Sequence, residues 1–386
     1  MIKTLIVLGT RPEAIKLSPL IGEMKKRRER YECRILSTGQ QKEMLESTLA
    51  SLGIAPDRDL GLMRPGQQID GLLRGVIRGT REEISSFRPD LVIVHGDTVS
   101  ALGGALAALL EEIPVAHIEA GLRTHDFYSP FPEEFDRRAI AQIASFHFAP
   151  TEEARENLLA EGIPEDRVFV VGNTAADVLR ANIRADFSHP FLSRAEKEGK
   201  KLVLLTAHRR ENLGEKMNGI FRGIASALSG REDVLCVFPM HRNPAVRECA
   251  LAVFADCPDV ILTEPLDPVS FQNLSARADL ILTDSGGMQE EAAILGVPAL
   301  VLRECTERTE GVLSGALTLT GTDENAVAST VRQALDGISP AKPGEKRLCR
   351  AFSHPYGDGH TAEKIPDILE KEYPGKRRKI LKNERH

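Results

Sequence analysis

Tryptophan is absent from these 386 residues, and aromatic side chains make up only 5% of them. A chain this poor in flat rings is badly equipped to stack nucleic-acid bases or sugar faces. Neither sign of charge dominates. The 50 Lys and Arg stand against 56 Asp and Glu, a net charge of −6, so nothing in the bulk charge favours nucleic acid or an anionic membrane surface. No apolar run is long enough to span a bilayer. Met1 opens directly into the strand-like Thr4-Leu5-Ile6-Val7-Leu8, so no signal peptide is expected. The six cysteines, Cys33, Cys236, Cys249, Cys257, Cys305 and Cys349, form no C-x-x-C pair and no zinc-type cluster. Reduced, mostly buried thiols in a cytoplasmic protein are expected. No G-x-G-x-x-G follows a strand, which counts against a tightly held NAD. No serine or cysteine sits in a nucleophile elbow.

What the chain does contain is a regular alternation of short Val/Ile/Leu runs with longer amphipathic stretches, the βα signature of a parallel α/β fold. Candidate strands are Thr4–Leu8, Glu32–Leu36, Leu91–Val94, Val115–His117, His147–Ala149 and Val168–Val170. A second series runs through Leu202–Thr206, Val234–Phe238, Val260–Leu262, Leu280–Thr283 and Ala299–Leu302. The polar stretch Arg180–Lys200 between the series holds no clear strand. Two Rossmann-like domains facing a cleft are therefore expected. The N-terminal domain spans 1–172 and the C-terminal domain 173–364. A last helix, over about 365–386 with its pattern beginning near Thr361, packs back on the first half. The basic end from Lys376-Arg377-Arg378-Lys379 reads as a solvated, partly disordered tail.

In open α/β sheets, ligands bind at the carboxyl ends of strands. Two segments sit where an apolar run stops: His95-Gly96-Asp97-Thr98 and His117-Ile118-Glu119-Ala120-Gly121-Leu122-Arg123. Asp97 and Glu119 should face one crevice, with Glu133 of Pro132-Glu133-Glu134 on a following loop or helix start. Carboxylates and histidines converging on a cleft suit proton transfer. Gly9-Thr10-Arg11-Pro12-Glu13 follows the first strand. Its helix amides and Arg11 suit a phosphate, the alternative being an ordinary loop with a surface arginine.

Asp284-Ser285-Gly286-Gly287 follows a strand and opens a helix. Ser285 can cap it, and Gly286 and Gly287 leave backbone amides open to a ligand. Glu291, further along that helix, is placed to accept ribose hydroxyls, unless it merely faces solvent. His208, in Thr206-Ala207-His208-Arg209-Arg210-Glu211-Asn212, is suited to protonate a leaving group or bind its phosphate. His241 makes a similar strand-end cluster. Arg308 would complete a pyrophosphate site, with surface salt-bridging as the rival. The lone histidines His147, His189, His354 and His360 read as structural or exposed. The carboxylates lie one per strand end without a metal-ligand spacing, so no metal is expected.

Taken in order along nearly the whole chain, these segments resemble the non-hydrolysing UDP-N-acetylglucosamine 2-epimerases. The resemblance implies a glycosyltransferase-B type fold, with uridine diphosphate held mainly by the second half. It assigns Asp97, Glu119, Glu133 and His208 to catalytic positions. Arg11, His241, Ser285, Gly286, Gly287, Glu291 and Arg308 fall at substrate-binding positions. It further implies a cytoplasmic homodimer that interconverts UDP-GlcNAc and UDP-ManNAc without a cofactor, feeding bacterial surface polysaccharides. Some positions depart from the family pattern. Glu307-Arg308-Thr309-Glu310 stands for Glu-Arg-Pro-Glu, and His354-Pro355 stands within Asn-Pro-Tyr-Gly. Glu133-Glu134-Phe135-Asp136-Arg137 stands for Glu-Glu-Ala-Asn-Arg. Many bacterial members carry an allosteric UDP-GlcNAc site with early-loop Gln and Arg contacts. Gln40 fits that pattern, while Glu43 and Gly66 replace a Gln and an Arg. A hydrolysing epimerase, an epimerase of a modified uronic-acid derivative, a glycosyltransferase and a sugar-nucleotide sensor are the rival readings. Carboxylates argue against the sensor, because binding an anionic diphosphate gains nothing from negative neighbours.

Overall fold

The structure, a computed structural model, describes residues 1–64, 66–306, 308–339, 342–347 and 356–383. The chain divides into two compact units. One comprises Met1–Val178 together with the chain from Gly357 on; the other is Leu179–Tyr356.

In the first unit seven strands form one parallel sheet. They are β1 (Ile2–Leu8), β2 (Tyr31–Ser37), β3 (Arg58–Asp59), β4 (Leu91–His95), β5 (Val115–Ile118), β6 (Phe146–Ala149) and β7 (Val168–Val170). Their spatial order is β3-β2-β1-β4-β5-β6-β7. The strand order reverses between β1 and β4, which is where ligands bind in doubly wound sheets. The apolar runs are continuous because helices cover both faces of the sheet: Leu91, Val92, Ile93 and Val94 are all fully buried. One core layer joins Ile6, Leu8, Leu17, Leu20 and Ile21 to Ile365, Leu369 and Tyr373. The last helix, Thr361–Asn383, thus completes the first unit's core. Asp177 starts it by accepting the Thr361 and Ala362 amides at 3.2 and 2.8 Å. Tyr31 Oη donates to Pro366 O at 2.9 Å.

In the second unit six strands form a second parallel sheet. These are β8 (Lys201–Thr206), β9 (Val234–Pro239), β10 (Val260–Thr263), β11 (Leu280–Thr283), β12 (Ala299–Val301) and β13 (Leu317–Leu319). Their order, β10-β9-β8-β11-β12-β13, repeats the first sheet's logic, with its reversal between β8 and β11. Phe221, Phe238 and Phe254 pack against one another at its centre, with ring centroids 5.3–6.2 Å apart.

All eleven expected strands are present to within a residue or two at their ends. The two the periodicity does not reveal are β3 and β13, edge strands of two and three residues. The Arg180–Lys200 stretch carries the end of the helix Thr174–Asn182 and all of the helix Pro190–Glu198. The last helix, expected over about 365–386, runs to Asn383 and so takes in the basic segment from Lys376 that composition alone reads as a partly disordered tail. Cys33, Cys236, Cys249, Cys257 and Cys305 are free thiols, and Cys349 lies outside the described residues. Among the described residues no helix is long and apolar enough to cross a membrane.

Candidate active site

At the reversal point of the first sheet the chain leaves β4 through Gly96, whose φ of +64° an L side chain rarely adopts. His117, wholly buried on β5, donates from Nε2 to Gly96 O at 2.7 Å. Burial pushes this imidazole down to about 3, so it is neutral and acts as a fixed donor. The turn presents Asp97 half-buried, and Thr98 then caps the next helix by accepting from Ala101 N at 3.0 Å. Thr98 also donates to Glu13 Oε1 at 2.7 Å. Glu13 is buried and gathers the loop after β1: its Oε2 accepts from Gly9 N (3.0 Å), Thr10 N (2.7 Å) and Thr10 Oγ1 (2.8 Å). Burial raises the Glu13 carboxyl above its ordinary range, against the pull of these donors. Gly9 must be glycine, since a Cβ there would lie 2.0 Å from Ser100 Oγ and 2.2 Å from Thr38 Oγ1.

Glu119 follows β5 with φ +62°, a left-handed conformation that costs a glutamate about 1–3 kcal/mol. Strain of this kind persists where the surroundings over-determine it. Here Lys16 forms an ion pair with Oε2, Asn173 Nδ2 donates to the same oxygen at 3.1 Å, and His95 Nε2 lies 3.7 Å away.

Glu133 opens the helix Glu133–Ile143, as expected for a helix start. Arg137 on that helix ties it to the β4 turn. Its Nε donates to Asp97 Oδ2 at 2.9 Å, Nη2 bonds the same oxygen, and Nη1 donates to Glu134 Oε2 at 3.1 Å. Asp97, Glu133 and Asp136 therefore occupy one neighbourhood. Burial, then the charges of Asp97 and Glu133, push the Asp136 carboxyl up to about 7, against the pull of Arg137. Arg11 stands exposed at the first position of its helix, with Pro12 second; Arg11 N donates to Gln41 Oε1 at 3.1 Å. Gln40 is engaged internally, its Oε1 accepting from Ser100 N at 3.2 Å and Ser100 Oγ at 2.7 Å.

The second unit's reversal point is organised by Asp284, which has no exposed surface. Asp284 accepts from His208 N at 3.0 Å, Arg209 N at 2.9 Å and Asn212 Nδ2 at 3.1 Å, folding the β8 loop over the end of β11. The half-buried His208 stacks on His241, centroids 5.3 Å apart and planes at 19°. Burial, with the neighbouring His208, lowers the His241 imidazole and favours its neutral form. Ser285 occupies the N-cap of the helix Gly286–Ile294, but its side chain makes no capping hydrogen bond, contrary to expectation. That leaves the hydroxyl and the first amides available to an anion. Gly287 is exposed, and a Cβ there would meet nothing within 4 Å. Glu291 is half-buried and accepts from Gln272 Nε2 at 3.3 Å. Arg308 is held by buried Glu290, with Nε at 3.0 Å and Nη2 at 2.8 Å from Oε1. Glu307 and the His354-Pro355 pair lie outside the described residues.

Each unit thus clusters its own share of the expected residues at its own reversal point. The first holds Arg11, Asp97, Glu119 and Glu133; the second holds His208, His241, Ser285, Gly286, Gly287, Glu291 and Arg308. Sequence reasoning missed Lys16, Asn173 and Glu290, which position them, and named Asp284 and Arg137 only as members of their segments, without their positioning roles. Lys16 did leave a signal, as a charge three residues after Glu13 on a helix face that continues with Leu17 and Leu20. Among the described residues no group of three or more His, Cys, Asp or Glu side chains is arranged to hold a metal ion.

A family model for UDP-N-acetylglucosamine 2-epimerase matches residues 23–370. A Bacillus subtilis (strain 168) protein of that name is 45% identical over 368 residues, covering 95% of each chain. The chain belongs to the UDP-N-acetylglucosamine 2-epimerase family. Its solved relatives carry the same α/β fold of the glycosyltransferase-B type. The Neisseria meningitidis epimerase, solved bound to UDP-GlcNAc, matches with a TM-score of 0.83 at 38% identity, covering 96% of this chain and 100% of that one. The Methanocaldococcus jannaschii epimerase, solved with UDP-GlcNAc and UDP, matches at 0.77 and 34% identity, covering 96% and 99%.

Proposed function

We propose that this family member is the non-hydrolysing epimerase interconverting UDP-GlcNAc and UDP-ManNAc. The hexosamine C2 hydrogen is not adjacent to a carbonyl, so simple enolisation is unavailable. If the C1–O bond to UDP breaks, positive charge develops at C1 and the C2 proton becomes removable. The intermediates are a glycal and UDP. Re-addition of UDP, with a proton delivered to the opposite face of C2, inverts the centre. Two faces require proton-transfer groups on both sides and no nicotinamide.

In this reading Asp97 and Glu119 carry proton transfer, and Glu133 assists or orients. His208 stabilises the departing diphosphate. Arg11, Arg308 and the amides of Ser285, Gly286 and Gly287 counter its charge, and Glu291 accepts the ribose hydroxyls beside His241. The observation that carries the reading is the division of chemistry between two strand-order reversals. One is lined with carboxylates, the other with an open helix N-terminus, two histidines and an arginine. We further propose a cytoplasmic homodimer acting on UDP-GlcNAc, UDP-ManNAc and UDP in bacterial surface polysaccharide synthesis, with no nucleic-acid or membrane partner.

The test is incubation with UDP-GlcNAc in D₂O, followed by proton NMR and mass spectrometry. UDP-ManNAc deuterated at C2, formed without NAD or acceptor, is the expected product. Stoichiometric UDP with free ManNAc would instead mean hydrolysis. Asp97→Asn is expected to abolish turnover while leaving UDP affinity nearly intact; full activity in that variant would overturn the assignment.

A further inference from the structure

Asp136 is 3% exposed, and its Oδ2 is buried with no hydrogen-bond partner. One turn earlier on the same helix, Glu133 Oε2 is in the same condition. Residues three apart on a helix share a face, with Cβ atoms about 5–6 Å apart. Two buried carboxylate oxygens are both acceptors, and a proton held on one of them lets it donate to the other. Arg137, the neighbouring cation, commits its guanidinium to Asp97 and Glu134.

Among the described residues, the helix and the strand packed on this helix supply no competing cation, and Arg138 is paired with Glu161. The helix Val99–Leu110 contains no titratable residue. β5 contributes only the neutral, buried His117. Asp97 faces from the β4 turn, and Glu133, Glu134, Arg137 and Arg138 share the helix with Asp136. The surroundings therefore favour the uncharged acid at this position.

We propose that Asp136 is a positioning residue for the proton transfer: protonated, it donates to Glu133 Oε2 and fixes that carboxylate beside Asp97; ionised, it repels it. The consequence for catalysis rests on the proposed epimerisation, while the donated proton does not. Asp136→Asn separates the two, because an amide donates at every pH.

Wild-type kcat/KM is expected to fall above pH 7, by roughly thirtyfold at pH 8.5 for a single ionisation near 7. Asp136→Asn is expected to keep its plateau across that range, with KM within about threefold of wild type, the change falling on kcat. Asp136→Ala, lacking any donor, is expected to lose kcat at every pH. Independently of turnover, infrared titration of the enzyme alone should show a carboxylic-acid carbonyl band that disappears as pH rises through about 7. That band should be missing from Asp136→Asn. An Asn variant with the wild-type alkaline fall, or a wild type without the band, would overturn the proposal. A wild-type enzyme that never epimerises UDP-GlcNAc overturns the proposed reaction, and the infrared arm then decides Asp136 alone.

Discussion

At the scale of single residues, the candidate site is set by which charges the fold leaves paired. Asp97 has Arg137, Glu119 has Lys16, and Arg308 has Glu290. His117 shows how a neutral group contributes. Its folded imidazole titrates near 3, well below the ordinary value of 6.5. Below pH 6.5 the unfolded chain takes up a proton that the folded chain refuses. Stability should therefore fall with acidification from about 6.5 towards 3, by about 1 kcal/mol per pH unit from this group. His117→Gln keeps an N–H for Gly96 O and removes the titration. Its urea midpoint should decline less steeply than that of wild type between about pH 6.5 and 4. The acids at strand ends, Asp97 and Glu119, were legible in the sequence because each breaks an apolar run. Arg137 and Asn173 were not legible. Their roles exist only once distant segments meet, and a single sequence carries no mark of that meeting. Asp136 was visible merely as a departure from a motif; its environment gives the departure its meaning.

At the scale of elements, most strands were readable because burial on both faces demands unbroken Val, Ile and Leu. β3 and β13 were not, being too short to show a period. The return of the last helix was readable as an amphipathic stretch after a glycine-rich turn, but its anchor, Asp177, was not. Asp177 serves as a capping acceptor from a different helix, and burial holds its carboxyl above the ordinary range. Asp177→Ala leaves the Thr361 and Ala362 amides without that acceptor, and should cost about 1–2 kcal/mol. Hydrogen exchange should then speed up along Thr361–Asn383 while the strands of the second unit keep their protection. Equal loosening of both units would contradict the contact pattern that assigns this helix to the first.

At the scale of the whole molecule, two sheets share the same strand logic, and the proposed function gives them opposite tasks, proton transfer at one reversal and diphosphate binding at the other. A ligand held by the second unit stabilises the fold in proportion to its occupancy. UDP at about a hundred times its Kd should add about 2.7 kcal/mol, seen as a rise in Tm. Arg308→Ala should lose most of that rise and Asp97→Asn should keep it. A reversed pattern would move the diphosphate site to the first unit.

The last helix has one more consequence, for the order in which the molecule is made. The first unit's core lacks Ile365, Leu369 and Tyr373 until translation has passed through the entire second unit. The second unit is contiguous and has all its strands in hand by Leu319. On the ribosome, the segment synthesised first is therefore finished last, and the carboxylate-bearing half waits with an open apolar groove along the helix Arg11–Lys26 and β2 until that helix emerges.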